Sequence, residues 1–157
     1  MQPNIGIPEN KLKSITSILS VVLSNEMVLY IKTRKSHWNV SGESFMELHR
    51  LFESQYKQLE ESIDEIAERI GKLGEKTIGT LAEYSKLSVI KESPGIYSSS
   101  KDTLLELLND HETIIVQLRR DIEDCAEKHK DAGTTDFLTA LLKQHETNAW
   151  ILRRYLD

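Results

Sequence analysis

Between Ser36 and Ile70 the chain reads SHWNVSGESFMELHRLFESQYKQLEESIDEIAERI, and apolar side chains recur through it every three or four residues. Phe45, Leu48, Phe52, Tyr56, Leu59, Ile63, Ile66, Ile70 and Leu73 form a stripe of helical period, which predicts a helix buried along one face throughout. Ser44 and Glu47 have the Ser-x-x-Glu spacing of a capping box, in which the two side chains satisfy free N–H groups and start the helix at residue 44. Gly71 and Gly74 offer C-cap positions near Lys72. The core face of the fold is thereby set.

The same period distributes the polar residues. At about 100° per residue, Asp64 and Glu68 fall roughly 130–180° from the stripe, together with Glu61 and Glu65, and point out of their own bundle. His49 lies at the near edge of the stripe, 15 residues before Asp64. That length of helix spans about 22 Å, far more than one coordination sphere. His37 precedes His49 by 12 residues across the Asn39–Glu43 turn and can approach it if the preceding helix runs antiparallel. The histidines thus form one half-site and the carboxylates another, and the two could close only between chains. Two imidazoles with two carboxylates suit Fe(II), Mn or Zn. The alternative at this point is a solvated acidic face with histidines packed at a turn.

A length of 157 residues fits one domain spanning 1–157, with a short arm over about 1–9. Charged residues make up 29% and apolar ones 39%, with seven Gly and three Pro, which points to long amphipathic helices and an all-α class. Pro8 suits a first helical turn, and Ile15, Leu19, Val22, Leu29 and Tyr30 trace a first helix that reaches His37. Residues 74–99 are a long crossover, in which Thr80-x-x-Glu83 is a second capping box and predicts a short extra helix over Leu81–Lys86. Ser99 or Ser100 caps the third long helix, whose stripe is Leu104, Leu108, His111, Ile115, Leu118, Ile122 and Cys125. Gly133, with Thr134 and Thr135 as caps, marks the start of the fourth, whose stripe is Leu138, Leu142, His145, Ala149, Leu152 and Leu156. His111 and His145 read as hydrogen-bonded core residues, and Cys125 and Trp150 as packing. None of the five histidines has Glu three residues before it, so the inward-facing Glu-x-x-His pairs of intrachain di-iron enzymes are missing.

His37-Trp38-Asn39-Val40, Gly42, Phe45, His49, Phe52, Tyr56, Asp64 and Ala67-Glu68-Arg69 stand at the spacing of the Dps proteins, the miniature ferritins named as DNA-binding proteins from starved cells. The resemblance covers about residues 10–156. It implies a ferritin-like four-helix bundle, a hollow homododecamer, and ferroxidase centres shared across a two-fold axis. It further implies that His37 and His49 of one subunit, with Asp64 and Glu68 of its neighbour, hold two irons. There Fe(II) would be oxidised, preferably by hydrogen peroxide, and the Fe(III) mineral stored in the cavity. Glu53, one turn beyond His49, is a candidate for the second iron, with a surface role as its alternative. The resemblance places Trp38 near the iron pair, where it would intercept stray oxidising equivalents, with interface packing as the other reading. It also puts acidic pore residues at the junction of the third and fourth helices, with Asp136 ahead of Glu127 and Asp131; Asp136 could instead simply favour the helix N-terminus.

The net charge of −5 per chain would give a twelve-subunit shell about −60, which repels nucleic acid and attracts cations. Lysine-rich terminal tails are missing: Lys11 and Lys13 are the only basic residues near the N-terminus, and Asp157 follows Arg153 and Arg154 closely. Direct DNA binding is therefore not expected, and a DNA-protecting role is the alternative to iron chemistry. One cysteine excludes an internal disulfide, Met1–Asn10 lacks a leader pattern, and no apolar run reads as a membrane span. The expectation is a soluble cytoplasmic protein.

Overall fold

In the computed structural model, which describes residues 3–157, the chain is all-helical. Its long helices are α1 (Glu9–Asn39), α2 (Phe45–Lys72), α4 (Ser100–Glu123) and α5 (Ala132–Leu156), and the short α3 (Leu81–Leu87) rides on the crossover. α1 pairs with α2 and α4 with α5, and the crossover returns the chain so that α4 starts beside the end of α1. Lys32 of α1 marks that seam: its ammonium group lies 2.6 Å from Asp110 and 3.0 Å from Glu106 of α4, and donates to the Lys91 carbonyl in the crossover. Leu19, Leu29, Phe52, Leu59, Leu138 and Leu152 are sealed in the core between the two pairs.

Several predicted boundaries stand, some on different chemistry. Ser44 does occupy the N-cap of α2, but its side chain makes no cap bond. Its backbone (φ −92°, ψ 21°) is not the extended conformation that aims a hydroxyl at the first turn. Phe45, expected in the core, is 39% exposed because it sits on the first turn, beyond the reach of the opposite pair. Gly71 lies inside α2, and the helix ends in a Schellman motif at Gly74 (φ 95°), with Gly74 donating to Gly71 and Glu75 to Ile70. The Thr80–Glu83 capping box forms in full, and Ser99 caps α4. α1 contains a segment that by length and composition could cross a membrane, contrary to the expectation that none exists. More than half of that segment is buried inside the bundle, which accounts for its apolarity.

The junction of α4 and α5 differs most from expectation. α4 runs on into a π-helical segment, Asp124–His129, and the chain turns at Lys130 in the left-handed region (φ 58°). Asp131 is the N-cap of α5, so the break comes before Gly133, and Thr134 and Thr135 are first-turn residues rather than caps. The Asp131 carboxylate accepts from the Thr134 amide and hydroxyl and from Arg69 of α2, which lies 3.2 Å away. Burial alone would raise the pKa of Asp131, but the Thr134 bonds and the Arg69 charge together hold it below the ordinary value. Cys125 lies fully buried in the π-helical segment, and burial, with Asp131 and Asp121 nearby, pushes its thiol up to about 12. It packs as an unreactive thiol.

Because Asp131 closes both a helix end and an interhelix ion pair, Asp131→Ala should cost about 1–3 kcal/mol in urea unfolding. A carboxylate with a depressed pKa stabilises fully above its unfolded value of 3.8 and loses the effect as pH falls through the folded value. The parent–variant difference at pH 7 should therefore persist at pH 5. A difference that collapsed by pH 5 would assign it to another group.

Candidate metal half-site

The half-site is built where α1 ends and α2 begins. Gly42, at φ 100°, adopts a left-handed conformation in the tight turn that folds α2 back along α1, bringing His37 against His49. The two imidazoles stack with ring centroids 3.7 Å apart and planes 21° from parallel. Each Nδ1 faces the other residue's main-chain oxygen, His37 Nδ1 to His49 O at 2.8 Å and His49 Nδ1 to His37 O at 2.9 Å. A carbonyl can only accept, so both Nδ1 atoms carry a proton, and in the neutral ring Nε2 is the nitrogen left with a lone pair. Main-chain oxygens thereby fix tautomer and ring orientation together, as the hydrogen-bond partners behind histidine ligands do at metal sites.

Aromatic groups wall this pair. Phe45 lies against His49 with centroids 5.1 Å apart, and Tyr56 meets His37 edge-on at 5.3 Å. Glu53 is close enough for both histidines to lower its pKa, although Lys57, 2.6 Å away, is the larger cause. Arg34, not among the candidates from sequence, also lines this region: its guanidinium carbon lies 4.5 Å from the Tyr56 ring centroid, 5.3 Å from Tyr30 and 5.8 Å from Trp38. The spacing of Tyr30, Arg34 and Trp38, four residues apart on one helix face, carried that signal.

Asp64 and Glu68 are exposed on the outward face of α2, and Glu68 is paired with Lys72 at 2.8 Å, which lowers its pKa. Within the chain they do not meet the histidines: among the described residues no three His, Cys, Asp or Glu side chains gather in a metal-binding group. Around the half-site, Trp38 is 66% exposed and Met46 52%, a large apolar surface for a charged face. Of the pore candidates, Asp136 and Glu127 are exposed, the latter 3.1 Å from Lys130. Asp131 is only 4% exposed, and its carboxylate is engaged by the α5 cap and by Arg69.

A family model described as a ferritin-like domain matches residues 17–157. The chain is 37% identical over 154 residues to an uncharacterized low temperature-induced protein of Nostoc sp., covering 98% of this chain and 86% of that protein. It is 34% identical over 146 residues to DNA protection during starvation protein 2 of Bacillus anthracis, covering 92% and 98% respectively. Among solved structures, the Dps protein from Vibrio cholerae O1, described as a member of a broad superfamily of ferritin-like diiron-carboxylate proteins, superposes with a TM-score of 0.92. That match is 29% identical and covers 99% of this chain and 97% of the other.

Of the two tryptophans, Trp38 directly follows His37, and Trp150 stands 54% exposed on α5. Anaerobic Fe(II) addition should quench fluorescence in the parent and in Trp150→Phe, and much less in Trp38→Phe. Quenching that disappears with Trp150 instead would place the metal elsewhere.

Proposed function

Because the chain belongs to the Dps branch of the ferritin-like proteins, we propose that it oxidises Fe(II) and stores the Fe(III) product in a dodecameric shell, and so protects the cell from oxidative damage. The observation that carries this reading is the paired, carbonyl-locked histidines, with Nε2 the lone-pair nitrogen of each neutral ring. His37 and His49 supply the imidazole half of each centre, and Asp64 and Glu68 of the two-fold neighbour supply the carboxylates, with Glu53 a candidate for the second iron. Imidazole suits Fe(II), while carboxylates hold the harder Fe(III), and few protein ligands leave positions open for oxidant.

The preferred oxidant in this reading is hydrogen peroxide. Two Fe(II) each give one electron; the O–O bond breaks and, with two protons, yields two waters. Handling iron in pairs supplies both electrons that peroxide accepts, so no hydroxyl radical is released. Protection of DNA then needs no DNA contact, consistent with the acidic chain. The Bacillus anthracis relative is named for DNA protection, which could act with or without contact; the second reading is direct DNA binding, and a gel shift at low and physiological salt separates the two.

His37→Ala or Asp64→Ala should leave the helical shell intact and slow Fe(II) oxidation roughly tenfold or more, because each removes one ligand from a shared centre. Mixed shells of His37→Ala,His49→Ala chains with Asp64→Ala,Glu68→Ala chains should regain part of the rate, since an isologous interface carries two reciprocal sites. No recovery in verified mixed shells would overturn the intersubunit site. With Asp131 engaged elsewhere, the acidic entrance reduces to Asp136 and Glu127. Asp136→Asn with Glu127→Gln should slow uptake at low Fe(II), with the deficit closing as Fe(II) rises. Unchanged uptake would move the entrance.

A further inference from the structure

A polar chain crosses the middle of the bundle. Glu26 of α1, His145 of α5 and His111 of α4 are 0%, 1% and 0% exposed. Glu26 Oε1 lies 2.7 Å from His145 Nε2, and His145 Nδ1 lies 2.9 Å from His111 Nδ1. Two facing imidazole nitrogens at that distance require one proton between them, and the carboxyl oxygen facing His145 Nε2 requires another. At the two ends of the chain, Glu26 Oε2 and His111 Nε2 are buried without a partner.

An ionised carboxylate in an apolar interior needs a nearby positive charge. The surrounding elements offer few candidates. α2 contributes neutral Ser62 and Gln58 at this level, in reach of Gln144 and Asn148 of α5. On the α1–α4 seam, Lys32 is already committed to Asp110 and Glu106. His111 is held well below its ordinary pKa by burial and then by the charge of His145. That leaves His145. A metal ion fits poorly, because Glu26 and His111 address opposite nitrogens of the His145 ring and the three donors do not converge.

We propose that Glu26, His145 and His111 form a buried proton store, with His145 an imidazolium donating Nε2–H to Glu26 and Nδ1–H to His111, and that it acts as an acid-operated catch on the bundle. A further proton has no partnered place to go. Unfolded, His111 would titrate near 6.5, whereas folded it resists protonation until far lower pH. Through that window the unfolded chain binds one proton more, so the catch adds up to about tenfold to the unfolding constant for each pH unit below 6.5. The inference concerns the fold of each subunit and holds whether or not the iron chemistry does.

The test uses the full assembled protein labelled with ¹⁵N-histidine. At pH 7.5 His145 should show both ring nitrogens protonated and His111 one, and Glu26→Gln should return His145 to a single proton. A neutral His145 in the parent would overturn the store, and so would Zn(II)-induced shifts of the His111 and His145 signals, which would mark a metal site instead. Urea unfolding between pH 6.5 and pH 5 should weaken the parent more steeply than His111→Gln or His111→Leu, by up to about tenfold per pH unit. Equal slopes in the parent and whichever variant folds would overturn the catch.

Discussion

A helix rises about 1.5 Å per residue, and that rise keeps His49 and Asp64 about 22 Å apart on one straight element. Everything distinctive about the molecule follows from the way it accepts this separation. α2 stays unbroken from Phe45 to Lys72, turning its apolar stripe inward and its carboxylates outward. Within one chain the imidazoles and the carboxylates therefore stay apart, and beside His37 the apolar side chains of Trp38 and Met46 are exposed. In the proposed shared centre, association and chemistry would be the same event.

The fold makes the histidine half rigid without spending any charged group on it. Each imidazole is oriented by the other residue's main-chain carbonyl, an acceptor that does not titrate. Stacking and the edge of Tyr56 restrict ring rotation further. Deeper in the bundle the opposite choice is made: Glu26, His145 and His111 are titratable, sealed and joined in series. One histidine pair sits at the turn between α1 and α2 with each Nδ1 on a main-chain oxygen, and the other lies sealed in the core in series with a carboxyl group.

Much of this was legible in the sequence because helical period is a local property. The stripes of all four long helices, the Thr80–Glu83 box, the Ser99 cap and the His37–His49 approach across a short turn follow from spacings within about one to three turns. The all-helical fold followed too. The misplacements came where backbone conformation outweighed residue type. Ser44 has the right side chain on the wrong ψ, and Asp131 takes the cap because the π-helical segment shifts the break ahead of Gly133.

The sequence by itself determined the helices, their buried faces and the separation of imidazoles from carboxylates, since each depends only on angular period and rise. Tertiary structure decided which polar groups pair across elements. Asp131 looks like a free carboxylate until Arg69, 62 residues away, is packed onto it. His145 looks like an isolated core histidine until Glu26, 119 residues distant, arrives from α1. Such pairings turn on which helix lies beside which, and at what level, and no spacing along a single strand of sequence encodes that.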